Sequence, residues 1–165
     1  MIELILVMAL IAILSVIGIG SYTQATLKSR DTQRKNDLNQ MAKAIELFNN
    51  DVGKYPGGVA GVMQCPTDEG EVSCGRRISA LLGDETAVYM EDTPVDPSNG
   101  RVYYYEPTST GGFALYAALE NSEDRDAVVE NIDGVEIKSD WGLECGSASI
   151  MCNYKLTELG LIRAK

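Results

Sequence analysis

Residues 1–20 read MIELILVMALIAILSVIGIG, an apolar run carrying one carboxylate, Glu3, near its start. A lipid-facing segment should reject that charge, and a water-facing one should reject everything else. Reading outward, residues 4–27 form a stretch of 24 positions without a charge. As an α-helix it spans about 36 Å, enough to cross a hydrocarbon core of about 30 Å. A cleaved signal peptide would carry a shorter apolar region, basic residues before it and a small-residue cleavage site after it. Here the helical pattern continues straight through, so that reading is rejected.

From Leu38 onward Met41, Ala42, Ile45, Phe48 and Val52 recur at three- and four-residue steps, the mark of an amphipathic helix with one apolar stripe. Asp31 and Lys35 lie four apart and Arg34 and Asp37 three apart, on a face expected to be wet. No proline interrupts before Pro56, and Gly53 is a fitting C-terminal stop. The expectation is a single helix of about 50 residues: an apolar half over residues 1–27, an amphipathic half over 28–53, and a head over 54–165. Gly18 and Gly20 each cost such a helix about 1 kcal/mol relative to alanine. They mark either a segment that melts outside a bilayer or a small-residue notch for helix packing, and both readings stand on these residues.

Charge is lopsided. Residues 1–53 hold five basic and five acidic groups, while 54–165 hold nine against nineteen, so the whole net charge of −10 sits on the head. Such a body favours solubility and gives no footing for nucleic acid. Lys28, Arg30, Arg34 and Lys35 make a local basic girdle on the stem, read as a subunit-contact feature. The girdle also places the head in the cytoplasm by the positive-inside rule.

The cysteines oppose that placement. Cys65, Cys74, Cys145 and Cys152 are spaced without a Cys-x-x-Cys and the chain has no histidine, which disfavours zinc and favours two disulfides in an oxidising compartment. The rival is four buried free thiols. Of three connectivities the sequence-local one is expected, Cys65–Cys74 and Cys145–Cys152, each worth about 2–3 kcal/mol in the chain-entropy model. The conflict dissolves if the visible N-terminus is a processed one whose removed leader held the orienting charges.

In the head, residues 76–82 are expected as a short helix ended by Gly83. Residues 102–106 and 113–120 read as strands, with Phe113, Leu115, Ala117 and Leu119 on one face, set against the stem stripe. Tyr103, Tyr104 and Tyr105 are strand packing rather than a binding platform. Trp141 belongs to the head core or to a subunit contact, with both open. The oxygen-rich stretch 121–126 is weighed as a calcium loop against a solvated acidic loop; the EF-hand spacing is absent. Without histidine, phosphate-binding loop or metal-ligand cluster, no enzymatic reading has support, and no resident cofactor is expected.

The stretches MIELILVMALIAILSVIGIGSY and RKNDLNQMAKAIELFNNDVGKYP resemble the N-terminal region of type IV pilins and pseudopilins. TPVDPSNGRVYYYEP followed by GGFALYAALEN resembles their head hairpin. The resemblance implies an α+β fold, a long helical stem packed on a small antiparallel head. It implies a structural subunit of a type IV pilus that polymerises with copies of itself into a surface filament. Glu3 would pair with the N-terminal amine of a neighbour, and Leu4, Leu6, Leu10, Ile13, Leu14 and Ile17 would form the filament core. Before assembly the subunit would sit in the cytoplasmic membrane, served by a prepilin peptidase, an inner-membrane platform and an ATPase. Family members carry the glutamate two residues farther from the processed N-terminus. With that offset Gly20 falls where many have a proline, beside a stretch that unwinds in filaments, which favours the melting reading of Gly18 and Gly20. Major pseudopilins bind calcium in a nearby head loop. The alternatives are a major pseudopilin of a type II-like secretion system and, from another class, a non-polymerising membrane-anchored binding domain.

Overall fold

The computed structural model describes residues 2–67, 70–82, 85–127, 129–132, 135–138, 141–146 and 150–162. The side chains of 16–21, 67, 71–72, 81–82, 129–132, 135–138 and 161–162 lie outside the description. One helix, α1 (Ile2–Val52), runs for 51 residues and is followed by an all-antiparallel set of strands. Its end is chemical: Gly53 adopts φ +78° and turns its N–H back onto the Asn49 carbonyl at 2.8 Å, a left-handed cap that glycine adopts without a Cβ clash. The backbone is helical straight through Gly18 and Gly20.

The strands are β1 (Gly57–Val59), β2 (Val62–Thr67), β3 (Gly70–Ser73), β4 (Ile78–Leu82), β5 (Glu85–Met90), β6 (Tyr104–Pro107), β7 (Phe113–Ala117), β8 (Val129–Ile132), β9 (Val135–Lys138), β10 (Tyr154–Thr157) and β11 (Gly160–Ile162). They form a three-stranded sheet β1-β2-β3, hairpins β4-β5 and β8-β9, and a four-stranded sheet ordered β11-β10-β7-β6. The last sheet carries the fold. Phe113, Leu115, Ala117 and Leu119 join Leu38, Met41, Ile45 and Phe48 in one core, so the expected stem–head packing is present.

The same sheet is buried on its other face too. Ala114, Tyr116 and Ala118 pack on the disulfide Cys145–Cys152, with Tyr104 and Trp141 against them. Trp141 lies 5.5 Å from the Tyr116 ring, which places it in the head. The second disulfide, Cys65–Cys74, ties the β2–β3 hairpin. Strand β7 ends at Ala117 because the Asn153 side chain replaces the next ladder rung, accepting the Leu119 N–H at 2.6 Å and donating to the Leu119 carbonyl at 3.1 Å.

The expected helix over 76–82 is instead strand β4, bonded to β5 across the register Leu82↔Glu85 to Ile78↔Met90. Its burial decides the matter: Ile78 and Ala80 are buried on the core and Ser79 between them is not, a period of two. Tertiary burial overrides the helix propensity of a leucine- and alanine-rich segment. The tyrosine strand starts later than expected, at Tyr104, and its residues alternate. Tyr105 enters the core and donates to the Pro56 carbonyl at 2.6 Å, while Tyr104 faces Tyr116 on the opposite side.

Candidate functional site

Two regions of α1 carry the chemistry. In the first, residues 2–15, every large apolar side chain faces solvent: Leu4, Leu6, Leu10, Ile13 and Leu14 are between 53 and 68% exposed. The surroundings of Ile17, Gly18 and Gly20 lie outside the described side chains. The polar groups of this stretch differ sharply in how they are satisfied. Ser15 donates to the Ile11 carbonyl at 2.8 Å, an internal bond that hides its hydroxyl from an apolar medium. Glu3 is exposed and, among the described residues, makes no hydrogen bond or ion pair in its own chain. Among the described residues no helix is long and apolar enough to cross a membrane; the described side chains of the apolar run stop at Ser15.

The second region, residues 30–37, was expected to be wet and is instead a buried ionic lock. Asp31, Arg34 and Asp37 are all buried, Arg34 completely. Its guanidinium grips Asp96 through two bonds of 2.8 Å, Asp31 at 2.7 Å, Glu120 at 2.6 Å and the Ser98 hydroxyl at 2.8 Å. Asp31 in turn accepts the backbone N–H groups of Glu120 and Asn121 at 2.9 and 2.8 Å, so the stem caps the end of the β7 segment. Arg30 adds a bond to Glu120. Tyr103 donates to Asp37 at 2.7 Å.

Burial alone would lower the Arg34 pKa and raise that of Glu120. The charge-assisted bonds outweigh it in both cases: Arg34 is raised, and Glu120, bonded to Arg30, Ser98 and Arg34, is held at about 2. The Tyr103 phenol is raised, first by burial and then by its bond to Asp37. Arg30, Arg34 and Lys35 are therefore occupied within one chain, so three of the four girdle cations fasten the stem to its own head, while Lys28 is exposed. The signal available in the sequence was the head's surplus of carboxylates opposite a stem segment with four cations; helical spacing alone pairs Arg34 with Asp37, which the fold does not.

No family model matches the chain, and no solved structure does either. The chain is 24% identical over 140 residues to the type II secretion system core protein G of Pseudomonas aeruginosa, covering 81% of this chain and 92% of that protein. That protein is of the pseudopilin kind. The chain resembles the type IV pilins and pseudopilins. In this pilin-like chain the stretch weighed for calcium is engaged by the stem. Lys35 Nζ lies 2.7 and 2.8 Å from the Asp124 carboxylate and 2.9 Å from Asp126, with the Tyr154 ring beneath it at 5.8 Å. Burial would lower the lysine pKa, and the two aspartates raise it. Among the described residues no group of three or more histidine, cysteine or acidic side chains is arranged to hold a metal ion.

Proposed function

We propose that the chain is a structural filament subunit, polymerising with its own copies through residues 2–17 of α1. The observation that carries this reading is the pairing of an all-round exposed apolar helix with a carboxylate, Glu3, that has no partner in its own chain among the described residues. Twelve large apolar residues lie between Leu4 and Ile19. Leaving them in water costs about 1.5–3 kcal/mol each, so they require lipid or identical stems. Lipid tails are as apolar as leucine, so hydrophobicity scarcely separates those two shelters. Glu3 does: a carboxylate held in hydrocarbon without a partner costs up to about 2.5–3.5 kcal/mol on insertion scales, and a cation on a neighbouring stem recovers much of that.

The subunit is held in the membrane before assembly and its head lies outside the cytoplasm, in keeping with two disulfides. Between the two filament types, the similarity to a secretion-system protein supports a pseudopilin role over a surface pilus, and the surplus carboxylates give the head no affinity for nucleic acid. No catalytic residue is assigned.

The test is Glu3→Ala in the full chain, with filaments counted by electron microscopy of sheared and periplasmic material. Loss of filaments at normal protein level and unchanged head melting is the expected result. Filaments in wild-type amount would overturn the role given to Glu3, and a wild-type chain that forms none would overturn the reading in favour of a non-polymerising anchored domain.

A further inference from the structure

The sheet β11-β10-β7-β6 has two unlike ends. Beyond β6, a hollow of about 230 Å³ opens between the β1–β2 turn, residues 93–96 and the start of β6. Met41 is buried within it, and Val62, Val95 and Val102 stand at its rim between 48 and 65% exposed. Two charged side chains reach the hollow. Asp96 is already neutralised by Arg34. Arg101 donates to the Ala118 carbonyl at 2.7 Å and, among the described residues, meets no carboxylate.

At the opposite edge the β10–β11 turn presents the reverse. Thr157 pairs with Gly160, which leaves Glu158 and Leu159 as the two tip residues. The turn is well built: the Thr157 hydroxyl accepts the Leu159 N–H at 3.3 Å and donates to the Gly160 carbonyl at 3.1 Å. Yet Leu159 is 90% exposed, more than any other large apolar side chain among the described residues. Glu158 accepts the Phe113 N–H at 3.1 Å and, among the described residues, meets no cation. Three strand spacings, about 14 Å, lie between the two edges, so Leu159 cannot fill the hollow of its own chain.

We propose that Leu159 of one copy seats in the hollow of the next, beside Val102, with Glu158 facing Arg101. This rests on the polymer reading above and gives it a second, head-level contact. An apolar knob meets an apolar socket, and a carboxylate meets a guanidinium, neither of which faces an opposite charge of its own chain among the described residues, so both partners are complementary in shape class and in charge. Knob and socket are different surfaces, so the contact is head-to-tail and adds subunits in one direction without using up its own ends. It also sets one favourable ion pair against the mutual repulsion of heads that each carry ten surplus negative charges.

The experiment uses the full chain, reconstituted from detergent into vesicles and scored for sedimenting polymer. Leu159→Asp should cut polymer at least tenfold while the near-ultraviolet melting of Trp141 is unchanged; Leu159→Met should polymerise as wild type. With p-benzoylphenylalanine at position 159, photoadducts should map to peptides covering 93–104 of another copy. Wild-type polymer yield from Leu159→Asp, or adducts that map elsewhere, to lipid or to a different protein, would overturn the contact. If Leu159→Asp polymerises while Glu3→Ala does not, the stem-driven filament stands and only the knob-and-socket contact falls. If the wild-type chain never polymerises, both fall.

Discussion

The two halves of α1 obey opposite rules within one unbroken helix. Over residues 2–15 the large apolar side chains are out and the single carboxylate has no partner among the described residues; over 31–48 Leu38, Ile45 and Phe48 are fully buried, and so is the Arg34 guanidinium. The second half has its solvent exclusion supplied by its own head. The first half has none, because no part of its chain packs on it among the described residues. A globular domain buries grease and exposes charge, whereas this stem exposes grease at one end and buries charge at the other. Residues satisfied within the chain report on the fold of the subunit, and those left unsatisfied report on its assembly. That division makes the comparison breakable by mutation.

The largest effect should come from Arg34→Ala. It strands Asp31, Asp96 and Glu120 near one another in a buried site, and removing one partner of such a cluster costs about 3–5 kcal/mol. Chemical unfolding of the full chain in detergent, followed by the near-ultraviolet signal of Trp141, reads it. Lysine should restore little, because the bidentate grip on Asp96 needs the planar fork. A loss below about 1 kcal/mol would mean that the lock is solvated and that the two halves differ less than described. Next in size, Phe48→Ala should cost about 3–4 kcal/mol through lost burial and a cavity under Tyr89, whose ring lies 5.4 Å away. The matched change Leu6→Ala, at a side chain 59% exposed, should move the same transition by less than about 0.5 kcal/mol and act only on polymer yield.

Part of this contrast is legible in the sequence. The stem is, because a 24-residue uncharged run followed by a 3.6-period stripe has no strand reading, and a glycine after Val52 stops it. The face of β7 that meets the stem is legible for the same reason: Phe113, Leu115, Ala117 and Leu119 alternate. The other face was not, since Ala114, Tyr116 and Ala118 are buried by a loop that arrives some thirty residues later, closed by Cys145–Cys152. Residues 78–82 were misread because leucine and alanine suit a helix as well as a strand, and only contact with α1 and β5 selects between them. The ionic lock was missed for a related cause. Local spacing pairs charges on a helix, but Asp96 and Glu120 lie 62 and 86 residues away from Arg34, and only the tertiary fold brings them to it.

Smaller than the losses at Arg34 and Phe48, the acid response of Glu120 tests the electrostatics most directly. Glu120 titrates at about 2 in the folded chain against an ordinary value near 4.5, so its folded pKa is depressed. A depressed carboxylate binds protons more weakly when folded than when unfolded. Its contribution is fully present above pH about 4.5, and it is lost as acid drives the pH down toward 2. Because Arg30 on one side of it is partly open to water, the contribution is on the order of 1–2 kcal/mol rather than the full value of the shift. The expected result is a stability curve that falls through that window in the wild type and less steeply in Glu120→Gln, whose amide keeps the shape but has no proton to take up. The same window should leave a curve from Leu6→Ala parallel to wild type, because residues 2–15 make no ion pair among the described residues. If the glutamine variant falls as steeply as wild type, the acid lability originates outside the lock, and the buried charge of the second half is structural filler rather than the fastening between stem and head.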